Sequence, residues 1–180
     1  MNLLNRVAAV ALALVSAVLP AGAEQPTAPS GARAADVASM DAILAALYDV
    51  ISGPAGQKRD WDRMRSLFVD GGRLIAVGKK PTGEFTQRMM TVEDYIRISG
   101  PFLEEKGFFE REMARHVDQF GSIAQVFSTY EARAKADDPK PFLRGINSIQ
   151  VMNDGKRWWI VTVYWQAESA DTPLPEKYLK

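Results

Sequence analysis

The chain has 180 residues, with 22 Lys+Arg, 22 Asp+Glu, one His and no Cys. Balanced charge leaves no electrostatic footprint for nucleic acid. The absence of Cys excludes disulfides, thiolate catalysis and thiolate metal sites, and a single His excludes a multi-histidine metal centre, so neither metal nor cofactor is expected.

Arg6 is the only charged side chain before Glu24. An apolar run from Val7 to Leu19 follows and closes with Pro20-Ala21-Gly22-Ala23. A cationic start, a short apolar middle and a small-residue exit are the parts of a secretory signal peptide. The run is shorter than the roughly twenty residues of a spanning helix. The expectation is cleavage near Ala23 and a periplasmic or secreted protein with no stable membrane insertion afterwards; an uncleaved anchor is the alternative. Removing residues 1–23 leaves a net charge of −1. Residues 24–36 carry two Pro, one Gly and few large apolar groups, and read as a flexible lead. Residues 37–169 then form one domain of ordinary size, with 170–180 as a C-terminal tail.

Val37, Met40, Ile43, Leu44, Leu47, Val50 and Ile51 recur at three and four, which predicts a helix capped by Asp36 and stopped by Ser52-Gly53-Pro54. A second helix starts at Asp60 and ends at Asp70-Gly71-Gly72. Arg73–Val77 and Phe85–Met89 read as a small strand pair. Thr91 opens a third helix, with Asp94 placed for a capping box and Ser99-Gly100-Pro101 expected to kink or break it. Strands follow at Phe108–Gln119, Ile123–Arg133, Arg144–Met152 and Arg157–Glu168, the last two joined by an Asp154-Gly155 hairpin signal. Segregated helices and strands predict an α+β domain with a four-strand antiparallel meander.

The stretches Gly121-Ser122-Ile123-Ala124-Gln125-Val126-Phe127, Gly145-Ile146-Asn147-Ser148-Ile149-Gln150 and Asp154-Gly155-Lys156-Arg157-Trp158-Trp159-Ile160, in this order of elements, resemble the nuclear transport factor 2-like (NTF2-like) superfamily. That superfamily includes SnoaL-like polyketide cyclases and ketosteroid isomerases. The resemblance covers roughly residues 37–169. It implies three N-terminal helices packed on a strongly curved, mostly antiparallel sheet, a pocket inside the resulting cone, and a homodimer formed through the outer sheet face. It transfers no catalytic residue.

Strand alternation nominates the site residues. In the last strand Trp159, Val161, Val163 and Trp165 form one apolar set and Trp158, Ile160, Thr162, Tyr164 and Gln166 the other. Asn147 and Gln150 are polar groups among apolar neighbours that need partners if buried. His116 shares its face with Glu112, Ala114 and Asp118; it is a general acid or base if that face lines the cone, and a solvated residue if it does not. Tyr130 and Glu131 point to opposite faces. The expected ligand-binding set is therefore Asn147, Gln150, Tyr130, Trp159 and Trp165, and the expected catalytic set is His116, Glu131 and Asp118. The expected function is binding of a small apolar or amphipathic molecule in the cone. The alternatives are a cyclase, isomerase or dehydratase using His116 with a carboxylate, and a non-catalytic dimeric interaction module.

Overall fold

The computed structural model describes residues 31–180; the expected signal peptide and most of the expected lead lie outside these described residues. Order begins before residue 37. A short helix, α1 (Ala34–Val37), is pinned where Asp36 pairs with Arg63 at 2.7 Å. Asp36 is thus a buried ion-pair partner and not a cap. Ser39 caps the first long helix instead, accepting from the Ala42 amide at 3.0 Å, and α2 runs Met40–Ile51. Its buried stripe includes Ile43, Leu44, Leu47, Val50 and Ile51, the three-and-four spacing of a helix with one apolar face.

Asp60 caps α3 (Trp61–Leu67). The chain then passes straight into β1 (Phe68–Lys79), so Asp70-Gly71-Gly72 does not separate helix from strand. It lies inside β1, where the register to the neighbouring strand shifts and Gly71 takes φ 74°. β2 (Phe85–Met90) precedes α4 (Val92–Lys106), which opens on the full Thr91–Asp94 capping box. Pro101 sits within α4 without ending it. The amide that Pro101 lacks would have bonded the Arg97 carbonyl, and both residues are exposed, so water can satisfy that oxygen.

β3 (Phe109–Phe120), β4 (Ile123–Arg133), β5 (Leu143–Asn153) and β6 (Trp158–Ala167) form the expected meander. The first strand pair is not separate from it. All strands of the described residues belong to one six-stranded sheet of order β2-β1-β6-β5-β4-β3, in which β1 runs parallel to β6. No βαβ unit is needed for this contact, because the whole meander intervenes between the two strands. The sheet curves over the helices, and Val126, Ile149 and Ile160 on its inner face are fully buried with Leu44 and Met64.

Two irregularities re-aim side chains. The β3–β4 register shifts between Glu112 and Ala114, and the β5–β6 register shifts between Gln150 and Val151. Each extra residue swaps the faces beyond it. After β6 the tail returns over the outer sheet face and ends in a 3₁₀ turn at Glu176–Tyr178, where Thr129 Oγ1 donates to the Tyr178 carbonyl at 2.5 Å. Among the described residues no helix is long and apolar enough to cross a membrane.

Candidate functional site

Elements from both layers converge on one cavity of about 390 Å³ inside the cone. Tyr48 comes from α2, Tyr95 from α4, Glu110 from β3, Tyr130 from β4, Asn147 from β5 and Trp165 from β6. Most of the remaining wall is apolar, including Leu47, Met64, Leu74 and Val163. Asn147 stands at the centre because β5 is the middle of the meander: it lies opposite Ser128 on β4 and Trp165 on β6.

The polar groups form one directed network. Ser128 Oγ donates to Glu112 Oε2, and Arg115 Nε donates to Oε1 of the same side chain at 2.6 Å. With its proton committed, Ser128 must accept from the Tyr48 hydroxyl, 2.6 Å away. Tyr48 in turn accepts from Asn147 Nδ2 at 3.1 Å. The second Asn147 proton goes to Glu110 Oε1, also at 3.1 Å. This chain of donation fixes the orientation of the Asn147 amide and leaves Glu110 Oε2 without a partner among the described residues.

Burial pushes the Glu110 carboxyl up to about 7, and the Asn147 hydrogen bond offsets only part of that. Burial likewise raises the Tyr48, Tyr95 and Tyr130 hydroxyls, with the Glu110 charge adding to the effect on all three. These phenols stay protonated at any physiological pH. Tyr95 and Tyr130 have no hydrogen-bond partner among the described residues. Among the described residues no wholly enclosed polar side-chain atom is unsatisfied, so both hydroxyls open onto the cavity. Gly145 permits this arrangement: a Cβ there would lie 2.6 Å from the Tyr130 hydroxyl. On the far side of Tyr48 and Glu110, a cleft of about 620 Å³ runs past Arg111, Arg115 and Arg133.

Of the residues nominated from sequence, Asn147, Tyr130 and Trp165 line the cavity. The others lie elsewhere. His116 is exposed on the outer face, its Nε2 donating to the Lys177 carbonyl at 2.6 Å and its ring edge-on to Tyr178. Asp118 is beside it, equally exposed. The β3 irregularity is the reason: it separates Glu112, which faces inward, from His116, so alternation counted through the strand placed them together wrongly. Glu131 is buried on the outer face, where Arg133 and Arg111 hold its carboxyl below the usual range. Gln150 is exposed on the outer face. Trp159 is also on that face, opposite Met152, because the β6 register shift parts it from Val163 and Trp165. Its indole donates to Asp154 at 2.7 Å and the Arg157 guanidinium stacks 3.6 Å from its ring.

Glu110, Tyr48 and Tyr95 are the residues that sequence reasoning missed. Tyr48 and Tyr95 lie on α2 and α4, where they share the buried face with apolar side chains. Glu110 carried a usable signal, since it shares alternation with Glu112 at the start of β3, before the register shift.

No protein-family model matches the chain, and no curated protein matches it in sequence. Solved structures do. A protein of unknown function with a cystatin-like fold from Nostoc punctiforme aligns at TM-score 0.53 and 11% identity, over 71% of this chain and 87% of that one. A protein from Kribbella flavida aligns at TM-score 0.50 and 14% identity, over 73% and 90%. An NTF2-like protein of unknown function from Silicibacter pomeroyi aligns at TM-score 0.48 and 18% identity, over 73% and 94%. At these identities the likeness is one of fold. The curved six-stranded sheet packed on helices is the α+β architecture that the sequence predicted, and it is shared with the Nostoc and Kribbella proteins.

Proposed function

We propose that the cone binds a small, largely apolar molecule bearing one polar group, held between Glu110, Tyr95 and Tyr130. One observation carries this reading: the two phenol hydroxyls and Glu110 Oε2, none with a protein partner among the described residues, converge on a mostly apolar cavity of about 390 Å³. That volume lies in the range of small-molecule sites, which combine an apolar wall with a few placed polar groups. Leaving such groups unsatisfied costs roughly 1–3 kcal/mol each, which a ligand's polar group relieves. The test is a fragment screen read by chemical-shift changes at the Trp165 indole. Binders should weaken about tenfold in Tyr130→Phe, the loss of one good hydrogen bond, and be unaffected by Tyr164→Phe on the outer face. Binders that shift only outer-face signals would overturn the reading.

A second reading is proton transfer of the isomerase or dehydratase kind, with Glu110 in the role first given to His116. The Glu110 carboxyl at about 7 favours it, because an acid–base group works best when its pKa matches the operating pH. Exchange of α-hydrogens of an enolisable ketone into deuterated water should be faster with the protein than without it, and should fall about a hundredfold in Glu110→Gln. Equal rates in the two proteins would remove this reading.

A further inference from the structure

Asp36, Glu112, Glu131 and Glu168 are each withdrawn to some degree from solvent, and each has an arginine partner: Arg63, Arg115, Arg133 and Arg144. Glu110 has none among the described residues, and no Lys, Arg or His lines its cavity. The guanidiniums nearest in the adjoining cleft are committed elsewhere: Arg111 to Glu131, Arg115 to Glu112 and Asp41, Arg133 to Glu131 and the Asp138 carbonyl. The groups that do face Glu110 are Asn147 on β5 and the neutral phenols of Tyr48, Tyr95 and Tyr130 on α2, α4 and β4. A carboxyl in an aromatic-lined cavity, with no counter-ion among the described residues, is chemically suited to receive a positive charge.

We infer that the cavity selects an organic ammonium ion with an apolar body, the nitrogen seated against Glu110 Oε2 and the body against Trp165 and the aliphatic wall. This rests on the small-molecule reading above and names its ligand class. Glu110 supplies the charge partner. The unengaged oxygens of Tyr95 and Tyr130 can accept N–H bonds, and aromatic rings attract a desolvated cation through their π faces. The Tyr48 hydroxyl does not take part, since both its bonds are used within the protein. A hydrocarbon of the same shape would leave Glu110 and both phenols unsatisfied. An anionic ligand would meet a carboxylate with no basic side chain among the described residues that line the cavity.

Linkage sets the pH dependence. The ammonium binds the ionised form of Glu110, so its affinity rises with pH until Glu110 is fully ionised. A neutral acceptor binds the protonated form, and its affinity falls over the same range.

The test uses 2-phenylethylammonium and its uncharged isostere propylbenzene, titrated into the protein at pH 6 and pH 8 with Trp fluorescence and calorimetry as readouts. The ammonium is expected to bind at least about tenfold more tightly than the hydrocarbon at pH 8, and more tightly at pH 8 than at pH 6. Glu110→Gln should remove that preference. Propylbenzene binding as well as the ammonium, or ammonium affinity falling as pH rises, would overturn the ammonium assignment and leave the pocket standing. Failure of both probes to bind the folded protein would overturn the pocket together with its ligand class. Because the pH comparison uses the unmodified chain, the test stands even if Glu110→Gln folds poorly.

Discussion

Glu110 keeps its proton in the folded protein to about pH 7, while in the unfolded chain it loses it near 4.5. Between those values the native state binds more protons than the unfolded state, so this residue's contribution to stability declines as pH rises. Glu110→Gln removes the titration and retains an oxygen to accept from Asn147. The variant should match the wild type in stability below about pH 4.5 and exceed it above pH 7, by about 3 kcal/mol at most, as read by urea denaturation across pH. The phenols make a second contrast. Tyr130→Phe deletes a hydroxyl with no protein partner among the described residues and should leave stability unchanged or raise it, by about 1–3 kcal/mol at most in the ligand-free protein. Tyr48→Phe strips a partner from both Ser128 and Asn147 and should cost about 2 kcal/mol in the same assay.

The ends of the helices are held by Arg59, which is buried and donates to four backbone carbonyls: Ile51 at 3.0 Å, Gln57 at 2.6 Å, Gly53 at 2.7 Å and Leu103 at 2.9 Å. These close the end of α2 and tie it to α4, the two helices that carry Tyr48 and Tyr95. Arg59→Met strips a donor from the buried Ile51 and Leu103 carbonyls, while Gly53 keeps its bond from the Phe108 amide and Gln57 is exposed, so a loss of about 3 kcal/mol is expected in thermal or urea unfolding. Sequence periodicity exposed most of the elements. It found the stripe of α2, the span of β4 and the opposition of Tyr130 to Glu131, since a strand without a bulge alternates faithfully. It failed on β3 and β6, where one extra residue reverses the faces and no residue type announces it. His116 and Trp159 were misplaced for that reason alone. The parallel β1–β6 contact was also hidden, because pairing between strands about ninety residues apart leaves no local pattern.

Over the whole molecule, the sheet separates two environments. The inner face holds the cavity. The outer face carries the chain's own C-terminal segment, with Tyr178 packed on Phe127 at 5.2 Å between ring centroids and on His116 at 5.3 Å. Lys79 fixes the start of that segment through Asp171 at 2.6 Å. Removing residues 170–180 should uncover Phe127, lower the melting temperature and raise binding of a hydrophobic dye. An unchanged melting temperature would show that the segment contributes nothing to the fold. The order of helices before strands made this architecture legible from the sequence, whereas the path of the tail was not, because Pro173 and Pro175 remove any periodicity from it.

The central claim is that Glu110 sits in a largely apolar cavity with no counter-ion among the described residues. Its carboxyl carbon can be followed by NMR across pH, with Glu110→Gln assigning the resonance. A titration centred near pH 7 is the result this structure predicts. A midpoint in the ordinary glutamate range, near 4.5, would mean that the group is hydrated or paired, and would contradict the account of the cavity.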